Sequence, residues 1–549
     1  MGRSSRESAR EALIDFGEIE SGVADVLCPE FDETHSILGA FRHSGRLAGR
    51  IFSFVCRQDI ENSRNFLAEF EESVQKLLCR ALPEKIRVSV PEGYAYYALY
   101  PEMYLLAACR FFGEHRPGEA VCIGIRSIGA SLCSAVCGEL ENLGCTTHSL
   151  SIRPHGHPFE RRVDLGPELQ KFIAGRRELP FLIIDEGPGL SGSSFCSTAE
   201  KIASMGIPDH GVFLFPSWQP DGTGFISEKA RRTWPRWKKY SVSFEEMQEK
   251  MNFFEGINPG GRIFDFSAGK WRSHMFVLED RFPAVQHQHE RRKFVSVPAL
   301  DSPGSPVLLK FCGLGNYGKR VYERSCILAE AGYLPPVHGL ADGFVRMDFL
   351  PGVPLGATEP KREFLDTAAG YFAFIAEKFP SDECLDPGEL VEMVRVNISE
   401  ELDAQWESKI GKISALADGL RSLPAVYLDN RVAPHEWIRM GKRIYKMDAA
   451  EHFEDHFFPG PQGIVWDLAA FCIEFGLDGG GREYLVGKSS RLNFREEVFD
   501  FYTIAYLAFR LGYCSVASSV MGNSPDGRRF VAKTRMVAAL LEAELARIA

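Results

Sequence analysis

The stretch FLIIDEGPGLSGSS (residues 181–194) is the clearest indication of the fold of the first half of the chain. FLII is an uninterrupted apolar run, as in a strand buried on both faces, and Asp185 and Glu186 follow it directly. Glycines and serines come next and lead into SSFCSTAEKIASMG, which reads as a helix. Backbone N–H groups, serine hydroxyls and a helix N-terminus together favour a phosphate. The stretch therefore predicts a strand, a phosphate-binding loop and a helix.

Strand-like and helix-like runs alternate on both sides of this stretch, between about residues 100 and 218. The other predicted strands are EAVCIGI, CTTHSLSIR and GVFLFPSW, and the other predicted helices are PEMYLLAACRFF and GASLCSAVCGELENLG. Such an alternation is typical of an α/β fold with a parallel sheet. Two more loops follow predicted strands, GIRSIGASL (124–132) and SIRPHGHPFERR (151–162).

These three loops, in this order, resemble the type I phosphoribosyltransferase family over about residues 90–220. The resemblance implies that Asp185 and Glu186 bind the ribose hydroxyls of phosphoribosyl pyrophosphate (PRPP). It also implies a 5-phosphate site and a pyrophosphate site. The implied 5-phosphate ligands are Ser191, Gly192, Ser193 and Ser194, and the implied pyrophosphate ligands are Arg126, Ser127, Gly129, Arg153 and Arg161. The loop is one residue longer than the family pattern and contains Pro188, and a glycine-rich turn without a ligand is the alternative.

The second half begins with two strand-like runs, RKFVSVPAL and SPVLLKF, and becomes mostly helical. Lys310 ends the second run and Glu323 lies in the next predicted helix, so a lysine–glutamate pair is geometrically possible. Asp429 in VYLDNRVAPHEWI and Asp448 in RIYKMDAAEH lie further along. A lysine for phosphates, one carboxylate for a hydroxyl and another for magnesium are what phosphoryl transfer requires.

This set, with GYLPPVHGLADGFVRMDFLPGVPL, resembles the aminoglycoside phosphotransferase and choline kinase branch of the protein-kinase fold over about residues 275–510. The resemblance implies that Lys310 contacts ATP, Glu323 orients it, Asp429 is the catalytic base and Asp448 binds Mg²⁺. The family has an asparagine where this chain has Pro434, so we expect His435, or else Glu436, to replace it as a metal ligand. A dinucleotide-binding turn at GLGNYG and a metal-binding histidine pair in HFEDH are weaker alternatives.

Length and composition bound the remaining expectations. The chain has 549 residues, a net charge of −11 and 14 cysteines without a paired spacing, which favours a soluble, reducing, cytoplasmic setting with no nucleic acid or membrane partner. Oligomeric state stays open. The predicted organisation is a mixed segment at 1–90, packing on or preceding the sheet domain, a phosphoribosyltransferase-like domain at 91–220, a connector at 221–275 and a two-lobed α+β kinase-like domain at 276–549.

The sequence thus predicts a bifunctional transferase of the phosphoribosyl and small-molecule kinase types, with PRPP, ATP and Mg²⁺ as ligands. The alternative is a regulatory protein in which one or both domains bind metabolites without catalysis.

Overall fold

The structure is a computed structural model that describes residues 2–257, 259–298, 304–356, 361–455, 457–489 and 494–548. The chain divides into two units. The first comprises Met1–Gly261 with the short segment Gly313–Gly318, and the second comprises Arg262–Cys312 and Lys319–Ala549.

The first unit is built on a five-stranded parallel sheet, as the alternating pattern predicted. Its strands, in the order β2-β1-β3-β4-β5, are β1 (Glu119–Ile125), β2 (Thr146–Ile152), β3 (Phe181–Ile184), β4 (Val212–Phe215) and β5 (Lys238–Lys239). Its α-helices are α1 (Gly2–Leu27), α2 (Ser36–Cys56), α3 (Ile60–Leu78), α4 (Glu92–Ala95), α5 (Pro101–His115), α6 (Gly129–Asn142), α7 (Pro167–Ala174), α8 (Ser193–Ser204), α9 (Glu228–Thr233), α10 (Phe244–Lys250) and α11 (Phe253–Ile257).

The N-terminal helices pack on this sheet domain. Helix α2 crosses α6 where Gly49 faces Gly138, and a Cβ at Gly138 would lie 2.1 Å from the backbone of Gly49. A side chain at either position would force the helices apart. The first 90 residues therefore belong to the same unit as the sheet.

The second unit begins with an antiparallel five-stranded sheet and continues as a mainly helical region. Its strands are β6 (Arg262–Asp265), β7 (Lys293–Val297), β8 (Val307–Phe311), β9 (Val337–Ala341), β10 (Phe344–Asp348), β11 (Val353–Pro354), β12 (Trp437–Met440) and β13 (Arg443–Lys446). Its α-helices are α12 (Arg272–Met275), α13 (Gly315–Glu330), α14 (Arg362–Lys378), α15 (Pro387–Glu401), α16 (Ile410–Leu416), α17 (Val465–Glu474), α18 (Gly479–Lys488), α19 (Glu496–Met521) and α20 (Pro525–Arg547). The first turn of α13 falls in the segment grouped with the first unit.

Strands β6 to β10 form one sheet in the order β6-β7-β8-β10-β9, and β11 to β13 form a second, three-stranded sheet. The core of the second unit is formed mainly by residues of helices α14, α17 and α19. By length and composition, α19 is apolar enough to cross a membrane, but half of its most apolar window is buried inside the protein. Helices α15, α17 and α20 pack against it, as around a core helix.

The segment predicted as a connector, 221–275, belongs to both sheets. Strand β5 pairs with β4 in the first sheet, and β6 pairs with β7 in the second. Because strand pairing assigns each piece to a sheet, the division falls at Gly261–Arg262 and not near residue 275. The dinucleotide alternative fails for a related reason, since the strand before GLGNYG pairs antiparallel with both neighbours.

Candidate functional site

Three loops meet at one edge of the first unit's sheet. Strand β1 lies between β2 and β3, and all three are parallel, so the loops after them leave from the same edge. These are the loops predicted to hold a ribose phosphate, 126–129, 153–162 and 185–194. Crossovers from β1 and β3 diverge here, which is where open α/β sheets bind ligands.

Two carboxyl groups lie at this edge. Burial raises the pKa of Asp185 to about 7. Burial, with the charges of Asp185 and Glu92, raises the pKa of Glu186 to about 8. Glu186 Oε2 accepts a hydrogen bond of 2.6 Å from the backbone N–H of Gly93. The short helix α4 therefore contributes to the site, and no feature of its sequence indicated this.

The serine loop is folded against its neighbours. Gly192 has φ 63°, and a Cβ there would lie 2.6 Å from the ring of Phe225, so only glycine fits. The hydroxyls of Ser191 and Ser193 lie 3.0 Å apart, and Ser193 Oγ donates to the carbonyl of Pro158 at 2.6 Å. The contact joins the serine loop to the 153–162 loop, while Ser194 is half-buried at the start of α8.

The arginines predicted to bind pyrophosphate already have acidic partners. Arg126 is buried and its Nη2 donates to Asp32 Oδ1 at 2.6 Å. Arg153 Nε donates to Asp25 Oδ1 at 3.1 Å, and its Nη1 donates to the carbonyl of Arg126. Both acids come from the N-terminal segment, which the sequence left without a role. These two arginines tie that segment to the sheet, and their predicted contact with a ligand stays a prediction.

The other three predicted pyrophosphate ligands differ in their availability. Arg161 lies on the surface and donates to the carbonyl of Gly156 at 2.8 Å. The carbonyl of Ser127 accepts from Ser21 Oγ at 2.9 Å. Gly129 is buried, and a Cβ there would lie 2.7 Å from the carbonyl oxygen of Ile184. That approach holds the loop after β1 close to β3.

The second unit contains a cavity of about 1060 Å³. Its apolar wall includes Leu308, Phe349, Leu350, Ile438 and Met447. Its polar wall comes from β8, from the loop between residues 430 and 436, and from the residues after β13. A cavity of this size holds a nucleotide and a small second molecule.

Lys310 on β8 pairs with acids after β13 and not with Glu323. Its Nζ lies 3.0 Å from Glu451 Oε1 and also forms an ion pair with Asp448. Burial lowers the pKa of Lys310 to about 8. Burial acts to raise the pKa of Glu451, but the charge of Lys310 and its neighbours lowers it to about 2. Glu323 is exposed on α13, so the predicted pair is wrong.

The residue after Glu323 explains the orientation of α13. Arg324 is buried and donates to the carbonyls of Tyr427 and Leu428 at 2.8 and 3.1 Å. It also reaches the carbonyl of Ala449 at 3.3 Å. The helix thus presents a cation to backbone carbonyls, and Glu323 points to solvent.

Asp448, Glu451 and His452 form a cluster that could hold a metal ion, with ligand atoms within 4.8 Å of one another. Burial lowers the pKa of His452 to about 4, so its imidazole is neutral and able to ligate. Two carboxylates and a neutral imidazole fit a divalent cation. His452 is therefore not the surface histidine expected from HFEDH, and His456 lies outside the described residues.

His435, predicted as a metal ligand, lies outside this cluster. Its ring stacks on Trp271 at 5.8 Å, and its Nε2 lies 3.4 Å from Glu436 Oε1. Burial acts to raise the pKa of Glu436, but His435 and Lys446 hold it well below its ordinary value. Glu436 lines the cavity as an ionised carboxylate.

Asp429, predicted as the catalytic base, is enclosed. It is fully buried, accepts a hydrogen bond of 2.6 Å from Tyr371 OH, and lies 3.3 Å from Lys446 Nζ. Asp467 fixes the backbone here by accepting from the N–H groups of Asp429 and Asn430 at 2.9 and 3.1 Å. The cavity is lined from Asn430 onward and does not include Asp429.

Arg431, two residues after Asp429, is one of the residues of this loop that line the cavity. Between the two residues the backbone passes through the left-handed region at Asn430, with φ 65°. Sequence reasoning missed Arg431, Glu436 as an alternative to Asp429, and Glu451. The available signals were Pro434, at the position where the sequence analysis noted a departure, and the spacing of Glu451 three residues after Asp448.

Comparisons with known proteins give fold-level similarity alone. No family profile and no curated sequence matches the chain. Choline kinase LicA from Streptococcus pneumoniae is similar with a TM-score of 0.34 and 16% identity, covering 46% of this chain and 89% of that one. A choline/ethanolamine kinase family protein from Mesorhizobium loti is similar with a TM-score of 0.33 and 14% identity, covering 47% of this chain and 89% of that one. Aminoglycoside 2'-phosphotransferase-IIIa is similar with a TM-score of 0.31 and 8% identity, covering 51% of this chain and 98% of that one. At these values the neighbours assign no activity or substrate to this chain.

Proposed function

We propose that the second unit is an ATP-dependent phosphotransferase that acts on a small molecule. The observation that carries the proposal is the position of Lys310, which lies in the wall of the cavity with Asp448 and pairs both with Asp448 and with the buried Glu451. A buried lysine beside clustered carboxylates is an arrangement that holds both a polyphosphate and its metal ion.

The residues divide the work as follows. Lys310 contacts the phosphates of ATP, and the apolar wall around Leu308 and Phe349 accommodates the base. Asp448, Glu451 and neutral His452 would hold Mg²⁺, which neutralises charge on the phosphates when bound. Glu436 accepts the proton of the attacking hydroxyl, since it is an ionised carboxylate in the cavity wall at the end of the 430–436 loop. Transfer relies mainly on positioning, so a weak base suffices.

The test is calorimetric titration of the full chain with ATP and Mg²⁺, followed by a turnover assay with labelled ATP. Lys310→Met should weaken ATP binding at least about tenfold, as loss of a charged hydrogen bond does. Lys412→Met, at an exposed position, is the matched control. Equal ATP affinity in the wild type and Lys310→Met would reject the proposal.

The enclosure of Asp429 favours a second candidate for this unit, a domain that binds nucleotide without transferring phosphate. The same assays separate the two. Binding that depends on Lys310, with no labelled product from any hydroxyl compound in a metabolite extract, would select the binding function. Glu436→Gln should abolish turnover and leave ATP affinity unchanged if transfer occurs.

For the first unit we propose binding of a ribose phosphate such as PRPP, in a transferase that displaces pyrophosphate from the anomeric carbon. The support is the meeting of three loops at one sheet edge, with Asp185, Glu186 and the serine loop together. The proposed magnesium ion accompanies the pyrophosphate. Because Arg126 and Arg153 are paired with Asp32 and Asp25, ligand binding there requires exchange of partners.

Titration of the full chain with PRPP and Mg²⁺ tests this second site. Asp185→Asn should weaken binding at least about tenfold, because a buried acceptor for ribose hydroxyls is altered. Asp209→Asn, at a surface ion pair, is the control. Absence of PRPP binding by the wild type would reject the proposal for the first unit. The proposal for the second unit would be unaffected.

A further inference from the structure

The cavity of the second unit is positively charged, although the chain as a whole carries a net charge of −11. Among the described residues, seven lysines and arginines line it, against four aspartates and glutamates. An anion entering this cavity is attracted, and a cation is repelled once the acids are paired. Whether these acids are paired with basic side chains therefore determines the sign of the charge on the ligand that the cavity favours.

Each of the four acids lies beside a basic side chain. Glu474 accepts from Lys533 Nζ at 3.1 Å and from Tyr506 OH at 2.9 Å. Glu290 lies 3.1 Å from Lys293 Nζ. Asp448 pairs with Lys310, and Glu436 lies beside His435, as described above. The basic side chain beside each of these acids weakens its attraction for a cationic substrate.

Among the described lining residues, two arginines have a buried Nε atom without a hydrogen bond. The structure records no hydrogen bond or ion pair from the guanidinium of Arg431 to any described residue, and its Nε is buried. Arg510 Nε is also buried and without a hydrogen bond among the described residues, although Glu474 lies 3.5 Å away. A buried guanidinium nitrogen without an acceptor is costly, unless a ligand supplies one.

The two arginines share a neighbour. Burial raises the pKa of Tyr506 well above its ordinary value, while the charges of Arg510 and Arg431 both act to lower it. Tyr506, Arg431 and Arg510 all line the same cavity. The charges of both guanidiniums therefore act on the same side chain of the wall, Tyr506. The wall also includes the aromatic residues Tyr513 and Phe530.

We infer that the phosphoryl acceptor of this unit is a small hydroxyl compound carrying an anionic group, a carboxylate or a phosphate ester, which Arg431 and Arg510 bind. The inference rests on the proposed phosphotransferase function. The acceptor oxygen bonds to the γ-phosphorus, the bond from that phosphorus to the β–γ bridging oxygen breaks, ADP leaves, and Glu436 takes the hydroxyl proton.

The experiment titrates four compounds of similar size, each with a hydroxyl, into the full chain. Glycerol 3-phosphate and glycerate are anions, glycerol is neutral and choline is a cation. Titrations are run with Mg²⁺ and a non-hydrolysable ATP analogue, and again without nucleotide. We expect at least one anion to bind about tenfold or more tightly than glycerol and choline.

Variants locate the binding. Arg431→Gln and Arg510→Gln should each weaken anion binding about tenfold while leaving affinity for the ATP analogue within about twofold. Arg395→Gln, at an exposed pair with Glu392, is the matched control, and circular dichroism checks folding of all three variants.

Three results overturn the inference. Tighter binding of choline or glycerol than of both anions would do so, as would unchanged anion binding in both arginine variants. Loss of ATP-analogue affinity in the arginine variants, with anion binding intact, would assign the arginines to the nucleotide. Failure of the wild type to bind the ATP analogue rejects the phosphotransferase proposal instead, and the nucleotide-free titrations still test the anion site.

Discussion

In the two candidate sites, the pKa values of buried glutamates shift in opposite directions. At the edge of the first sheet, Glu186 has a backbone N–H as its hydrogen-bond donor and a pKa of about 8, so it holds a proton at neutral pH. In the second unit, the buried Glu451 faces Lys310 of the cavity wall and has a pKa of about 2, so it is ionised. Burial disfavours charge in both places, and a cationic partner reverses the outcome in one.

The comparison also separates the basic residues. Arginines near the first site form ion pairs with acids of the N-terminal segment, whereas the structure records no ion pair between Arg431 in the second site and any described residue. An arginine near a phosphate loop is therefore not evidence of a phosphate ligand until its partners are known. The next three predictions test this contrast, beginning with the largest effect.

Removing the charge of Glu451 should have the largest effect on stability. Glu451→Gln leaves the buried Lys310 with one acidic partner fewer, and breaking a buried pair costs about 3–5 kcal/mol. The free energy of unfolding, measured by urea denaturation with a probe in the second unit, should fall by that amount. Glu377→Gln, at an exposed position on α14, should change it by less than about 0.5 kcal/mol. A small effect at Glu451 would mean that Asp448 alone compensates Lys310.

Crowding the loop after β1 should have the next largest effect. A Cβ at Gly129 would lie 2.7 Å from the carbonyl oxygen of Ile184, so Gly129→Ala pushes the loop from β3 at a cost of about 1–3 kcal/mol. Thermal unfolding and PRPP titration should both register the change. At Gly113, where a Cβ meets no atom within 4 Å, alanine should stabilise α5 by about 0.5–1 kcal/mol. Unaltered PRPP affinity in Gly129→Ala would show that this loop is not part of the site.

The pH dependence of Glu186 should give the smallest effect. Its pKa is about 8 in the folded protein and near 4.5 when unfolded, so the folded state holds an extra proton between these values. The stability it contributes is complete below about pH 4.5 and is lost as the pH rises through 8. Glu186→Gln should therefore leave stability at pH 5 unchanged and raise it at pH 9 by about 1–2 kcal/mol after solvent screening.

The measurement is urea denaturation of wild type and Glu186→Gln across this pH range, with Glu178→Gln on the surface as control. Parallel curves for the wild type and Glu186→Gln would contradict the raised pKa. Glu451 predicts the opposite trend, because its lowered pKa gives stability that is present above about pH 4.5 and lost as the pH falls toward 2.

Local sequence patterns predicted the elements well where one segment contains the whole signal. The run FLII became β3, EAVCIGI became β1 and SPVLLKF gave β8, because apolar runs bounded by turn residues specify buried strands. The three loops at the first sheet edge followed from the order of these strands. The connector was not predictable, since β5 and β6 are short and belong to sheets only through pairing.

Local sequence specifies the parallel sheet, the acidic, glycine and serine residues of the turn at 185–194, and the position of Lys310 at a strand end. The partners of the buried charges depend on the folded chain. They are Glu451 and Asp448 for Lys310, Asp25 for Arg153, and Tyr371 and Lys446 for Asp429. The physical reason is that strand and turn formation depend on neighbouring residues, whereas the pairing of a buried charge depends on residues brought close only when the chain has folded.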